Sequence, residues 1–205
     1  MKSKVILTMI YDIKLFPPVI SICNILSELN YEIVYIGGCS DMNTEKVLME
    51  RNHVRFYKTP LYGGNGMQRI IQQWKYRRYV LEMLKNEYVK ETTYLWLLHS
   101  ETVSLFSAYL DKYDVISHLF EFKNPTQKIA YRLLNPCYPF EKNLKKSKKV
   151  ICCEYNRAHI TKSIYDLDKV PYILPNKPYN GNVQIAQSLP FSIQEIISKY
   201  RNKKI

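Results

Sequence analysis

Seven short apolar runs punctuate this chain, at residues 5–10, 31–36, 54–58, 94–98, 114–120, 149–153 and 170–174. Segments with helical spacing separate them. A chain that alternates in this way has few options. Consecutive strands joined through helices predict a parallel sheet with helices on both faces, because each crossover must pack back onto the sheet. The run at 94–98 is apolar without interruption, as a strand buried on both faces requires. The expected fold is α/β, a Rossmann-like three-layer αβα sandwich with a mostly parallel sheet.

The helical segments fit this scheme. Pro17-Pro18 opens a periodic segment at 19–29, where proline suits a first helical turn. Further helices are expected at 44–52, 67–90, 101–110, 127–134 and 157–165. The segment 67–90 is the longest, and Met67, Ile70, Ile71, Trp74, Leu81, Leu84 and Tyr88 recur at helical spacing as its expected core stripe. Its other side carries Lys75, Tyr76, Arg77, Tyr79 and Met83. The loop Gly63-Gly64-Asn65-Gly66 precedes it and matches neither Walker A nor GxGxxG, which leaves an ATP or NAD site without its fingerprint. The last apolar run ends in Pro175-Asn176-Lys177-Pro178, a domain edge. Polar residues and an amphipathic segment at 192–200 follow. The expected division is a Rossmann-like domain at 1–180 and a linker with a helix at 181–205.

Composition narrows the setting. The 205 residues suffice for one sizeable domain and an appendage. No apolar run approaches the roughly 20 residues that a spanning helix needs. The N-terminal run is short, meets Tyr11-Asp12 at once and lacks a small-residue cleavage site, so it reads as a first strand. A cytoplasmic location is expected, at the membrane periphery if a membrane is the partner. The five cysteines include no CxxC pair and no metal-ligand spacing, so no metal site is expected. Cys152 and Cys153, adjacent in one strand, point to opposite faces. The net charge of +12 calls for an anionic partner. Two basic stretches are candidates for it, the 67–90 helix and the run Lys142, Lys145, Lys146, Lys148, Lys149. Each reads as a membrane-facing surface or as a solvated face, and the helix also as a nucleic-acid surface, though no nucleic acid is expected as a partner.

In an open parallel sheet, ligands bind beyond the carboxyl ends of the strands. That rule selects Tyr11 and Asp12 after the first strand, His99 and Ser100 after the fourth, and His118 with Glu121 at the fifth. It also selects Glu154, Asn156 and Arg157 after the sixth, and Asn176 after the last. An imidazole beside a carboxylate is fixed in tautomer and raised in basicity, so His118 with Glu121 is the expected pair for a base or a sugar-hydroxyl binder. Each residue also has a plain structural reading. A strand-end histidine is often only hydrogen-bonded, and Asn156 suits a helix cap.

Several pieces together resemble GT-B glycosyltransferases of the family 4, or group 1, type. They are Phe16-Pro17-Pro18 with Leu26-Ser27-Glu28-Leu29, the stretch from Tyr113 to Phe122, the stretch from Lys149 to Ala158, and the Pro-Asn segment from Tyr172 to Pro178. The resemblance covers about residues 4–180. It implies the N-terminal, acceptor-side domain of an enzyme that moves a hexose from a nucleotide-sugar to a saccharide or lipid-linked acceptor, in surface polysaccharide or glycolipid synthesis. The nucleotide-sugar would be held mainly by a C-terminal domain that this chain lacks, so the domain alone is expected to be inactive. No cofactor beyond that donor and no metal are implied.

By the resemblance, His118 is the catalytic residue, the histidine that reaches into the cleft towards the donor sugar. Tyr11, Asp12, His99, Glu121, Glu154, Arg157 and Asn176 make up the substrate-binding set. The family's Gly-Gly after the first strand is absent here, where Asp12-Ile13-Lys14-Leu15 stands. Two readings compete with this one. A basic α/β module binding nucleic acid would show steeply salt-dependent affinity. A complete flavodoxin-like enzyme would carry a bound cofactor.

Overall fold

Strand β1 (Lys4–Asp12) is the centre of the molecule, and its apolar side chains are buried on both faces. It pairs in parallel with β2 (Glu32–Gly38) on one side and with β4 (Thr93–Leu98) on the other. With β3 (Arg55–Lys58), β5 (Val115–Leu119), β6 (Lys149–Cys152) and β7 (Tyr172–Ile173), the order across the sheet is β3-β2-β1-β4-β5-β6-β7, with every pairing parallel. The computed structural model describes residues 3–121 and 143–176. The expected helix at 127–134, Cys137, Lys142, Lys177-Pro178 and the whole of 181–205 lie outside the described residues.

The helices divide between the faces as the crossover rule demands. Helices α1 (Pro17–Glu28) and α2 (Met42–Asn52) cover one face, where Val19, Ile22 and Leu48 meet Leu7, Met9 and Tyr35. The other face carries α3 (Gly66–Glu87), α4 (Ser100–Leu105) and α5 (Tyr155–Ile164), which bring Val80, Leu84, Val103, Phe106 and Ala158 against Ile6, Val34 and Leu95. Cys152 and Cys153 fall into the cores on opposite faces, as their adjacency in the strand direction predicts.

Local chemistry sets the boundaries. Pro17 and Pro18 occupy the first turn of α1. Asn30, at φ +56°, turns the chain out of α1 while the Tyr31 amide bonds the Leu26 carbonyl. Asp41 caps α2 through the Thr44 amide at 3.1 Å. Asn65 and Gln68 form a reciprocal capping box on α3. Gly37 and Gly38 lie inside β2 rather than after it, and a Cβ on Gly37 would stand 2.8 Å from the Met9 carbonyl oxygen. Only glycine lets β2 run this close to the end of β1.

Helix α3 corrects the periodicity reading. Met67, Ile71 and Trp74 were expected in the core, and they are 62%, 48% and 54% exposed. The buried stripe is Gln73, Tyr76, Val80, Leu84 and Glu87. Tyr76, expected outside, is 6% exposed and bonds the Thr8 hydroxyl at 2.5 Å. Apolar counting missed the stripe because two of its members are polar residues whose partners lie far away in sequence. The Glu87 carboxylate receives Lys4 Nζ at 2.5 Å, Arg55 Nη1 at 3.0 Å and the Tyr57 hydroxyl. Burial alone raises its pKa, but the Lys4 and Tyr57 hydrogen bonds and the two cations outweigh that and hold it below the ordinary value.

Two smaller corrections follow. The helix expected at 101–110 is α4 plus a separate 3₁₀ turn at Ser107–Tyr109. Asn156 is no cap, because α5 begins at Tyr155 with Glu154 before it. Of the lysine run, Lys146 meets Asp111 at 3.2 Å and Lys149 sits over the Tyr172 ring at 4.6 Å.

Candidate functional site

Strand order reverses between β1 and β4, whose crossovers leave in opposite directions. The crevice beyond their carboxyl ends is the topological switch point. From β1 comes Tyr11. From the junction of β4 and α4 come His99 and Glu101. The loop before α3 contributes Tyr62, and α3 contributes Gln73. The Glu101 carboxylate gathers them. It accepts from the Tyr11 hydroxyl, from the Tyr62 hydroxyl at 3.1 Å and from Gln73 Nε2 at 2.7 Å. Among the described residues, no Lys or Arg pairs with it.

His99 connects this network to the next strand. Its backbone sits at φ +75° and ψ 140°, a conformation that L side chains rarely adopt and that is found where a site over-determines it. Its ring packs edge-on to Tyr11 at 4.6 Å and to Phe16 at 5.5 Å. Nδ1 accepts the Glu101 amide at 3.2 Å, so the neutral ring carries its proton on Nε2, 4.0 Å from Glu121 Oε2.

Beside His99 lies an open crevice of about 530 Å³, lined by Phe16, Pro18, Phe120, Glu121, Arg157 and Asn176 among others. The Phe16 and Phe120 rings stack at 5.8 Å along it. Arg157 is aimed by the Phe120 carbonyl at 3.0 Å and by Glu154 at 3.3 Å. The Cys153 thiol, raised to about 11 by burial, stays protonated and donates to Asn176 Oδ1 at 3.1 Å. Together these groups offer carboxylate acceptors, a guanidinium and an aromatic wall, a set suited to a hydroxyl-rich ligand with or without an anionic group.

The structure brings Tyr11, His99 and Glu121 together, and it places Glu121, Arg157 and Asn176 around one crevice. Glu154 reaches the site only through Arg157. Asp12 turns aside, and its Oδ1 accepts the Lys14 amide at 3.1 Å and the Ser40 amide at 3.2 Å. His118 is 1% exposed and lies between the Phe120 and Trp96 rings, and neither ring nitrogen has a partner among the described residues. Burial pushes its pKa down to about 3, so the ring is neutral. The expected pairing of Glu121 with His118 is not formed, and His99 takes that place. Glu101, Tyr62 and Gln73 were missed. Glu101 had one legible signal, an acid in the first turn beyond a central strand. Tyr62 and Gln73 had none.

No protein-family model matches the sequence, and no curated protein matches it. Solved structures do. A glycosyltransferase from Rickettsia africae superposes with a TM-score of 0.56 at 11% identity, covering 99% of this chain and 50% of that one. The fold is a GT-B-type Rossmann domain. UGT71G1 from Medicago truncatula, in complex with UDP-glucose, superposes with a TM-score of 0.53 at 11% identity, covering 97% of this chain and 57% of that one. The N-terminal domain of a Candida albicans trehalose-6-phosphate phosphatase reaches 0.51 at 11% identity, covering 80% of this chain and 43% of that one. The GT-B-type domain thus spans about half the length of the structures it matches. At these identities the likeness speaks for the fold, and function must be argued from the site.

Proposed function

We propose that this GT-B-type domain is the acceptor-side half of a glycosyltransferase, which moves a hexose from a nucleotide-sugar to a saccharide or lipid-linked hydroxyl in surface polysaccharide or glycolipid synthesis. The observation that carries the reading is the run of contacts beyond the strand ends, from Glu101 through His99 to Glu121, with the crevice of Glu121 and Arg157 beside it. In this reading Glu101 and Glu121 accept hydroxyl hydrogens of the acceptor, Phe16 and Phe120 face its apolar side, and Arg157 meets anionic charge. His99 is the imidazole at the crevice, and His118 supports it from below through the His118 carbonyl, which accepts the His99 amide at 2.9 Å. The donor is held by a second half, so the 205-residue chain binds acceptor but does not turn over.

The test is isothermal titration of the purified chain with a panel of mono- and oligosaccharides, followed by Arg157→Ala. Millimolar or tighter binding of a saccharide, weakened at least fivefold by the variant, supports the reading. Absence of all saccharide binding contradicts it. Transfer from a nucleotide-sugar by the chain alone contradicts the half-enzyme.

The exposed face of α3 supports an anionic membrane surface as the second partner. Met67, Ile71 and Trp74 form one apolar row, and Lys75 and Arg78 beside them are exposed. Such a face lies in a lipid interface, its apolar row sunk and its cations on the headgroups. No described helix is long and apolar enough to cross a membrane. Sedimentation with phosphatidylglycerol vesicles, lost in Ile71→Ser/Trp74→Ser and absent with phosphatidylcholine, is the expected outcome. Salt-sensitive RNA binding without vesicle binding would favour the nucleic-acid module instead.

A further inference from the structure

A second cavity, with Tyr62 in its wall, lies between the end of β3 and the N-terminal half of α3. Its volume is about 220 Å³. Ligand pockets for drug-sized molecules run from roughly 300 to 1,000 Å³, so this one takes a single ring or a short branched chain. The walls are aromatic and apolar: Tyr62, Tyr76 and Tyr79 with Ile10 and Pro60. Tyrosine rings on several sides favour a planar aromatic guest, through edge and offset contacts beyond simple burial.

Two polar groups at the cavity have no hydrogen-bond or ion-pair partner among the described residues. Thr59 lines the cavity and is 5% exposed, and its hydroxyl has no hydrogen-bond partner among the described residues. A buried hydroxyl left unpaired destabilises the empty fold, and it is explained when a ligand completes it. Lys75 lines the cavity from α3, and no described acid pairs with it. The other cation there, Lys58, is already held by Glu45 at 2.6 Å. Two other polar atoms at the cavity are occupied. Gln72 Oε1 accepts the Gly63 amide at 2.8 Å, and the Tyr76 hydroxyl pairs with Thr8.

We infer that this cavity is a ligand site for a small aromatic anion, whose ring lies among Tyr62, Tyr76 and Tyr79, whose charge meets Lys75, and which bonds the Thr59 hydroxyl once that side chain turns towards it. The inference does not depend on glycosyl transfer. The site has a route to the switch point, because Tyr62 forms its wall and also donates to Glu101. A guest that shifts Tyr62 therefore changes the donors around that carboxylate.

The experiment titrates the isotope-labelled full chain with phenyl phosphate and follows amide shifts by NMR, with inorganic phosphate and phenol as the anion-only and ring-only arms. Phenyl phosphate binds at least tenfold more tightly than either, with shifts centred on Thr59, Tyr62, Lys75 and Tyr79. Lys75→Glu weakens it at least tenfold. Thr59→Val weakens it about fivefold, the effect of one hydrogen bond. The same variant raises the melting temperature of the ligand-free chain by about 2 °C or more, since it removes an unpaired buried hydroxyl. Phenyl phosphate binding no tighter than phosphate, or unaffected by both substitutions, overturns the site. Thr59→Val lowering the ligand-free melting temperature overturns the role given to its hydroxyl, because Thr59 then has a structural partner.

Discussion

Two carboxylates held by tyrosine hydroxyls stand at opposite ends of the sheet, and they are treated differently. At the amino end, Glu87 is enclosed by Lys4, Arg55 and Tyr57, and its charge is neutralised twice over. At the carboxyl end, Glu101 receives Tyr11, Tyr62 and Gln73, with no cation at hand among the described residues. The first arrangement is closed and serves the fold, tying β1, β3 and α3 together. The second leaves a net negative charge, oriented by neutral donors, at the place where parallel sheets receive ligands. Glu101 is half-buried, and its described partners are neutral donors.

The comparison can be broken by substitution. Glu87→Ala leaves Lys4, 13% exposed, with only Glu32 at 3.5 Å, and should cost roughly 3 kcal/mol in urea denaturation at pH 7, the low end for breaking a buried ion pair. An effect as small as that of a surface change would dissolve the contrast. The pH dependence sharpens it. Because the folded Glu87 carboxyl is held below its ordinary value of 4.5, its contribution is complete above that pH and fades as the pH falls through the lower folded value. The stability gap between the parent and Glu87→Gln should therefore be wide at pH 7 and narrow at acid pH. A gap that widened on acidification would have the wrong sign.

At the other end the effects are smaller. His99→Gly should be about 1–2 kcal/mol more stable than His99→Ala, since both lose the ring and only glycine relaxes the φ of +75°. Equal stability would show that the strain is absent. Glu101→Gln keeps one oxygen, which still accepts from Tyr62 and Gln73, turns an NH2 towards the Tyr11 hydroxyl, which can accept it, and strands no cation, so thermal denaturation should register about 1 kcal/mol or less. A loss as large as that of Glu87→Ala would make Glu101 a second structural anchor.

The sheet was legible because its signals are local. The run at 94–98 had to be a buried strand, Pro17-Pro18 had to open a helix, and together the runs allow one sort of layered fold. The strand-end rule named Tyr11, His99, Glu121, Arg157 and Asn176, which lie at or beyond the carboxyl ends of the strands in the folded chain. What it could not supply is direction and depth. Asp12 and Tyr11 are neighbours, yet one caps a turn and the other enters the site. His118 was favoured over His99 for its closeness to Glu121 in sequence, but alternation along β5 sends its ring into the core beneath Phe120. Glu121, past the strand end, is free to meet His99 instead.

By itself, the sequence determined the element order, the parallel sheet and the basic character of the chain, because periodicity, turn residues and charge act over a few residues at a time. The tertiary structure alone decided which face of α3 is buried, which histidine meets Glu121, and which of two carboxylates is neutralised. Those outcomes depend on partners many residues away, such as Gln73 with Glu101 and Lys4 with Glu87. A polar residue is buried when its partner is brought to it, and only the folded chain brings them together.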